Sequence, residues 1–454
     1  MTFEPIYSWD TVLSPHVYVF YGAFLISFIF TPVMRSIAIS YGIIDQPDAV
    51  RKLHSAPVAY LGGIAVFIGW VAGLAVSYLH IPAAEIGSPH LKIKLSLIAG
   101  AGVIVLLGFW DDLKRIKPSL KISGQIFAAC LLLWQGIGIH SLQGPVIGPL
   151  NLRIFNAVGP AFMIPPAVET VLSILLVIGM VVGCCNATNL MDGLDGLCGG
   201  VTAVMAAGFL FLAVHLATLG TDTSPTNLNA VRIVLALALL GAVLGFVPYN
   251  FNPASIFMGD AGSMFLGYAC ATMILLLMQT EDGFKWLLAA LVMFSLPVLD
   301  TALAFARRYV NGRPIFSADR HHFHHQLVAR GFTVRKTVLI SYGLAIGFVV
   351  LGGFVAYMRL RYAVAFYMVI FGSIIVAAYK MGMVHERKST ALTAEARMVP
   401  ESRESIINEN ATNAAALALA QQQAAEIRAS KASLSAGSLA ANSVRSAPDA
   451  PAHL

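Results

Sequence analysis

Four groups of acidic and imidazole side chains in this chain have the residue types of phosphate chemistry, and each stands at the edge of a long apolar stretch. They are Asp111-Asp112 in GFWDD, Asp192 and Asp195 in NLMDGLDG, Asp260 in MGDAGS, and His321, His322, His324 and His325 in DRHHFHH. Adjacent carboxylates at the end of an apolar segment are costly unless a cation, a proton or a basic side chain meets them. Lys114, Arg115, Lys117 and Lys121 follow Asp111-Asp112 at once. Two carboxylates beside a basic strip suit Mg²⁺ with a phosphate, the metal neutralising some oxygens while Lys or Arg holds the rest. An ordinary interfacial cap on a helix end is the other reading of the pair taken alone.

In NATNLMDGLDGLCGG, Asn186, Asn189, Asp192 and Asp195 recur every third residue, so if the segment is helical their side chains share one face. Loop and capping chemistry is the plainer alternative. Asp260 has Gly259, Gly262 and Ser263 around it and Asn250 and Asn252 before it, and glycine lets backbone or metal approach a ligand closely. The histidines allow a zinc site by spacing, His322 with His325 or His321 with His325. Their surroundings favour phosphate instead. Arg307, Arg308, Arg313 and Arg320 precede them and Arg330, Arg335 and Lys336 follow, a concentration of donors suited to a diphosphate. In DQPDAVRKLHSAPVAYLGG, Arg51, Lys52 and His54 either touch a phosphate or simply mark an inner loop. Asp300 lies inside an apolar segment, where an acid serves function or hydrogen-bonded helix packing.

The elements that must position these groups follow from composition. The chain has 454 residues, 57% hydrophobic and 11% charged, with mean hydropathy +0.76, against roughly 25% charged residues in a soluble domain. The expectation is an all-α polytopic membrane protein, because only helices or closed barrels satisfy backbone groups in lipid and about 18 apolar residues suffice to cross it. Eleven segments qualify, at about 17–34, 61–79, 95–110, 122–140, 170–189, 197–219, 231–249, 262–280, 286–306, 338–357 and 362–381, with ten as the alternative count. The first is too long, and Met1–His16 too poor in Lys and Arg, for a cleaved signal.

An extracytoplasmic N-terminal segment 1–16, a transmembrane domain 17–385 and a mostly disordered Ala/Ser/Gln-rich cytoplasmic tail 386–454 complete the expected organisation, with a short helix around 411–430 in the tail and a small hairpin near 141–169. With the N-terminus outside, most Lys and Arg of the net +6 fall on inner loops, as the positive-inside rule requires. The same parity brings every acid group and the histidines to the cytoplasmic face, where a catalytic cleft would open. The five cysteines lack metal-ligand spacing and read as small buried residues. No P-loop and no dinucleotide fingerprint occur, and nothing calls for nucleic acid. A proton-coupled transporter would require polar groups at mid-membrane depth and on both sides. Apart from Asp300 the helix middles are apolar.

Taken in order, RKLHSAPVAYLGG, GFWDDLKRIKPSLKISGQ, NATNLMDGLDGL, NFNPASIFMGDAGS and DRHHFHHQLVARGFT resemble the polyprenyl-phosphate N-acetylhexosamine-1-phosphate transferases of glycosyltransferase family 4, over about 30–385. The pattern Asp319, Arg320, His322, His324, His325, interrupted by Phe323, is similar to the branch that uses UDP-N-acetylglucosamine rather than the phospho-N-acetylmuramoyl-pentapeptide branch, whose histidines are consecutive. Ala59 stands where many relatives carry proline, which affects the local loop. The resemblance implies a phosphotransferase of a bacterial cytoplasmic membrane. It moves sugar-1-phosphate from a UDP-N-acetylhexosamine to undecaprenyl or another polyprenyl phosphate with Mg²⁺, or Mn²⁺ in its place, and releases UMP. It begins a lipid-linked envelope glycan, and a homodimer is compatible. Asp260 would hold the metal with Asp192 or Asp195. Asp111 or Asp112 would orient or deprotonate the acceptor phosphate. Lys114 and Lys121 would hold that phosphate, Arg320, His322, His324 and His325 the donor diphosphate, and Asn250 the uridine side. Arg51, Lys52, His54, Asn186 and Asn189 complete the expected binding set. UDP-N-acetylmuramoyl-pentapeptide or another UDP-N-acetylhexosamine is the competing donor.

Overall fold

The computed structural model describes residues 6–45, 58–79, 93–139, 142, 164–220, 228–280, 282–312 and 322–380, and the account below concerns these. Helices form wherever the apolar runs are long, because a segment without water must pair its own backbone groups. After a short α1 (Trp9–Leu13) come α2 (Val17–Ser40), α3 (Gly62–Leu79), α4 (Leu95–Lys114), α5 (Pro118–Trp134), α6 (Pro166–Met191), α7 (Leu197–Thr218), α8 (Leu228–Asn250) and α9 (Gly259–Met278). They are followed by α10 (Gly283–Met293), α11 (Ser295–Val310), α12 (Phe323–Ala329), α13 (Val334–Tyr357) and α14 (Leu360–Lys380). The protein is all-α and polytopic. Among the described residues seven helices are long and apolar enough to cross a membrane, the bent pair α10–α11 is a broken span or a re-entrant loop, and α3, α5 and α14 are shorter apolar helices.

The expected ninth segment, 286–306, is therefore not one straight helix. Its two halves meet at Phe294 at 73°. Pro297 lies in the first turn of α11 and has no N–H to continue the ladder of α10, so the apolar run is continuous in sequence but broken in backbone. A second departure concerns NATNLMDGLDG. The helix ends at Met191, with Asp192 as its C-cap, so only Asn186 and Asn189 remain on a helical face while Asp195 sits in the turn before α7. The expected small hairpin near 141–169, and the expected tail 386–454 with its helix around 411–430, lie almost entirely outside the described residues. A two-stranded antiparallel pair that the sequence did not suggest joins β1 (Ile44–Asp45) to β2 (Val58–Ala59).

Burial sorts the helices. Every residue in the most apolar window of α9 is buried, and α7 and α8 are mostly so, whereas α2, α6 and α13 bury only about a third of theirs or less. The exposed side chains are large and apolar, such as Leu25 and Ile29 on α2, Leu175 on α6 and Phe354 on α13, which suits lipid contact. Of the cysteines, Cys184, Cys185, Cys198 and Cys270 are buried thiols and Cys130 is an exposed one on α5. α9 packs on α3, α4 and α6. Its N-terminal end is where the acidic motifs meet.

Candidate active site

Asp112 holds that end together. It sits on the last turn of α4, yet its Oδ1 accepts from Asp260 N at 2.8 Å and its Oδ2 from Ala261 N at 3.2 Å. A carboxylate thus satisfies the first free amides of α9, where the helix dipole also favours negative charge. Gly259 makes room: its φ is +72°, and a Cβ there would lie 2.6 Å from Asp112 Oδ2. α4 ends just beyond, with Arg115 in the left-handed region and Ile116 N donating to Asp111 Oδ1 at 2.7 Å.

Capping brings Asp260 beside Asp111, and Lys121 joins them. Its Nζ lies 2.5 Å from Asp111 Oδ2 and 2.6 Å from Asp260 Oδ2. The position of Lys121 follows from α5, which starts with Pro118 at its first helical residue and points its first turn back toward α4. The other oxygen of Asp260 accepts from Asn189 Nδ2 at 2.9 Å, and that amide also reaches Ser263 Oγ at 3.0 Å. Asn186, one turn earlier on α6, donates to Gln125 Oε1 at 2.8 Å and so ties α6 to α5. Sequence reasoning passed over Gln125 and noted Ser263 only as a neighbour of Asp260. Their spacing from a charged member of the cluster, Ser263 three residues after the acid Asp260 and Gln125 four after the base Lys121, was the available signal.

Asp192 differs from its neighbours. Among the described residues its carboxylate accepts no hydrogen bond. Burial, and then the charges of Asp260, Asp112 and Asp195, push its pKa up to about 8. Asp195 is engaged elsewhere, its Oδ2 accepting from Asn252 Nδ2 at 2.9 Å and Ala254 N at 3.0 Å. Asn250 is buried and holds the same turn, accepting from Gly196 N at 3.1 Å and donating to Ile256 O at 3.0 Å. Arg35 and Arg335 donate to Ser255 O and Asn252 O from opposite sides. Asp195 and Asn250 therefore build the loop that leads into Asp260.

The histidines close the cluster from another direction. Rings of His324 and His325 lie 4.4 Å apart and those of His322 and His324 5.6 Å apart, nearly parallel. His324 is buried against Gly193, where a Cβ would fall 2.4 Å from its Nε2. Among the described residues that Nε2 has no hydrogen-bond partner. Burial, only partly offset by Asp300, depresses the His324 pKa to about 3, so the ring is neutral at neutral pH. The strand pair contributes Tyr60, hydrogen-bonded to Asp45 and within the field of Asp112 and Asp260. Burial and these acids raise its pKa.

The structure thus gathers Asp111, Asp112, Lys121, Asn189, Asp192 and Asp260, with His324 at Gly193, next to Asp192. Lys114 is exposed at the end of α4 and makes no ion pair among the described residues. Arg51, Lys52, His54, Asp319, Arg320 and His321 lie outside the described residues. No three acidic, histidine or cysteine side chains among the described residues are closed on one point as a finished metal site.

A bundle that turns apolar side chains outward and holds a half-neutralised acid cluster at the end of its central helix has the architecture of a multi-pass membrane enzyme. The profile of glycosyl transferase family 4 matches residues 94–278, which hold every member of the cluster except the histidines. The probable undecaprenyl-phosphate N-acetylglucosaminyl 1-phosphate transferase of Bacillus subtilis (strain 168) is 32% identical over 332 residues, covering 72% of this chain and 82% of the relative. The decaprenyl-phosphate N-acetylglucosaminephosphotransferase of Mycolicibacterium smegmatis is 33% identical over 341 residues, 73% of this chain and 79% of the relative. The undecaprenyl-phosphate alpha-N-acetylglucosaminyl 1-phosphate transferase of Salmonella typhi is 31% identical over 336 residues, 71% and 79%. The chain belongs to glycosyl transferase family 4.

Proposed function

We propose that this enzyme transfers N-acetylglucosamine-1-phosphate from UDP-N-acetylglucosamine to undecaprenyl or another polyprenyl phosphate, releasing UMP and forming polyprenyl-diphospho-N-acetylglucosamine. The observation that carries the reading is the excess of carboxylate over cation at the end of α9. Among the described residues Asp111, Asp112, Asp192 and Asp260 meet one ammonium, Lys121, and Asp192 is left without a partner. Such a site calls for a further cation, which two anionic reactants also need. The relatives named above as polyprenyl-phosphate N-acetylglucosamine phosphotransferases support the acceptor and the sugar.

The residues fit Mg²⁺, which takes one or two carboxylates and completes its shell with water and phosphate rather than a closed protein cage. Asp260 and Asp192 would hold it. Asp195, considered beside them on sequence grounds, stands as the alternative second carboxylate, with its Oδ2 on the loop. When bound, the ion would neutralise oxygens of the donor diphosphate and of departing UMP. Lys121 holds the acceptor phosphate beside Asp111. Asp111 orients it and takes its proton, which requires little base strength because the second phosphate pKa is about 6. An acceptor oxygen then forms a bond to the sugar-bearing phosphorus, and the bond from that phosphorus to the bridging oxygen breaks, the electron pair leaving with UMP. His322, His324 and His325 meet the diphosphate. Direct attack is proposed over a phospho-aspartate because the acceptor phosphate itself supplies an anionic oxygen as nucleophile.

The same reading turns the acidic end toward the cytoplasm of a bacterial cytoplasmic membrane, in keeping with the Lys and Arg of the loops on that side. The test is transfer of labelled sugar-phosphate from UDP-N-acetylglucosamine to undecaprenyl phosphate by purified protein in detergent, with and without Mg²⁺. UDP-N-acetylmuramoyl-pentapeptide and a deoxyhexosamine donor serve as comparisons. Mg²⁺-dependent lipid product with UMP from the first donor alone is expected. Product only from another donor overturns the sugar, and none from any donor overturns the reaction.

A further inference from the structure

Asp300 has no part in the reaction as described, yet its setting is unlike that of a packing residue. The buried face of α11 carries Pro297, Asp300, Ala304, Arg307 and Arg308, while Val298, Phe305 and Tyr309 point outward. The helix is amphipathic in the inverted sense, polar toward the protein and apolar toward its surroundings. Asp300 is 5% exposed. Its Oδ1 accepts from Phe323 N at 2.7 Å, fixing the start of α12, and its Oδ2 lies 3.0 Å from His322 Nδ1 and 3.8 Å from His324 Nδ1. The bend at Phe294 is what brings α11, and Asp300 with it, under the histidines.

A carboxylate accepts and does not donate, so Nδ1 of His322 carries the proton and Nε2 is the end left for a ligand. The ring of His324 lies nearly parallel to that of His322, at 6°, and its Nε2 has no partner beside Gly193. Fixing one ring fixes the stack. We propose that Asp300 is a positioning residue of the transfer reaction: it orients His322, and through it His324, so that their Nε2 atoms meet the donor diphosphate beside Asp192 and Gly193. Asp300 thereby sets the ring from behind, as the carboxylate of a carboxylate–imidazole pair does in hydrolases. The inference rests on the assignment of the histidines to the donor diphosphate.

Asp300→Asn tests it with little change of shape. The amide oxygen still accepts from Phe323 N, while its N–H group, now facing His322 Nδ1 in place of an acceptor, no longer holds that N–H and releases the ring. The expected result is a fall of about 10- to 100-fold in kcat/KM for the sugar nucleotide, with the KM of polyprenyl phosphate unchanged. In a His322→Gln background the same substitution should cost less than about 3-fold, because both changes remove one interaction. Asp300→Glu, which keeps a carboxylate, should recover part of the loss and completes the cycle if Asp300→Asn does not yield folded protein. Wild-type donor kinetics in Asp300→Asn, equal losses for donor and acceptor, or an undiminished effect in the His322→Gln background would each overturn the role. The cycle is run with whichever sugar nucleotide the enzyme turns over, so a wrong sugar leaves it interpretable. Failure of the cycle with a working donor counts against Asp300 alone.

Discussion

At its C-terminal end α9 meets a guanidinium, and at its N-terminal end four carboxylates and an ammonium. Arg232, with no exposed surface, donates to Leu276 O at 2.9 Å, Gln279 O at 2.9 Å and Asn229 Oδ1 at 2.6 Å, closing the last carbonyls of the helix. At the Gly259 end, Asp112 closes the first amides in the same manner. Beyond that cap the ends diverge. Around Arg232 the acceptors are fixed protein groups. Around Asp260 an acid and an imidazole nitrogen keep unused bonding capacity, Asp192 and His324 Nε2. Buried charge alone therefore does not mark function. Buried charge whose partners are incomplete does, because only a ligand can then offset its desolvation.

The contrast can be broken most directly at Asp260. Asp260→Asn should lower transfer by about 1000-fold, of the order seen when a group stabilising the transition state is lost, with the melting midpoint in detergent little changed. Near-normal turnover would end the assignment. Arg232→Met should do the reverse, lowering stability by about 3 kcal/mol through acceptors left unsatisfied, while protein that remains folded keeps its kcat. A stable but inactive Arg232 variant would mean that the two ends are not distinct.

The acid end also makes opposed pH predictions. Asp192 has its pKa raised to about 8 from an ordinary 3.8, so the folded protein keeps a proton that the unfolded chain releases across that interval. Stability of the metal-free protein should fall as pH rises from 5 to 8, by of order 1 kcal/mol per pH unit, and Asp192→Asn should flatten that slope. His324, lowered to about 3 from an ordinary 6.5, excludes a proton the unfolded chain takes up. Its contribution is present above pH 6.5 and is lost as pH falls toward 3. His324→Gln should weaken the acid sensitivity below pH 6, the smallest of these effects, read from melting midpoints in citrate. Either variant reproducing the wild-type pH profile would remove that residue from the account.

Much of this arrangement is legible in the residues themselves. Lipid leaves an apolar run little choice but to be a helix, so the segments appear in sequence where α2 to α11, α13 and α14 appear in the structure, and Asp111, Asp112, Asp192 and Asp260 stand visibly at their ends. What periodicity does not encode is pairing between helices. That Asp112 caps α9, 148 positions away, or that Lys121 rather than Lys114 reaches the acids, depends on how helices stack. The break at Phe294 was hidden for a different reason: Pro297 is plain in the sequence, but an unbroken apolar run outweighs one proline in any reading by hydropathy. Asp195 and Asn250 are the converse case: their motif is plain in the sequence, while the hydrogen bonds by which they shape the loop are not.

The most direct test of the central claim, that the N-terminal end of α9 is an incompletely neutralised site awaiting a divalent cation and phosphates, is a binding titration. Mn²⁺ would be added to the purified protein and followed by electron paramagnetic resonance, with wild type, Asp260→Asn, Asp192→Asn and Arg232→Lys compared at pH 7.5. The account predicts saturable binding, strengthened by the sugar nucleotide, in wild type and Arg232→Lys, and its loss or at least about 10-fold weakening in both Asp variants. Undiminished binding in Asp260→Asn and Asp192→Asn would contradict it.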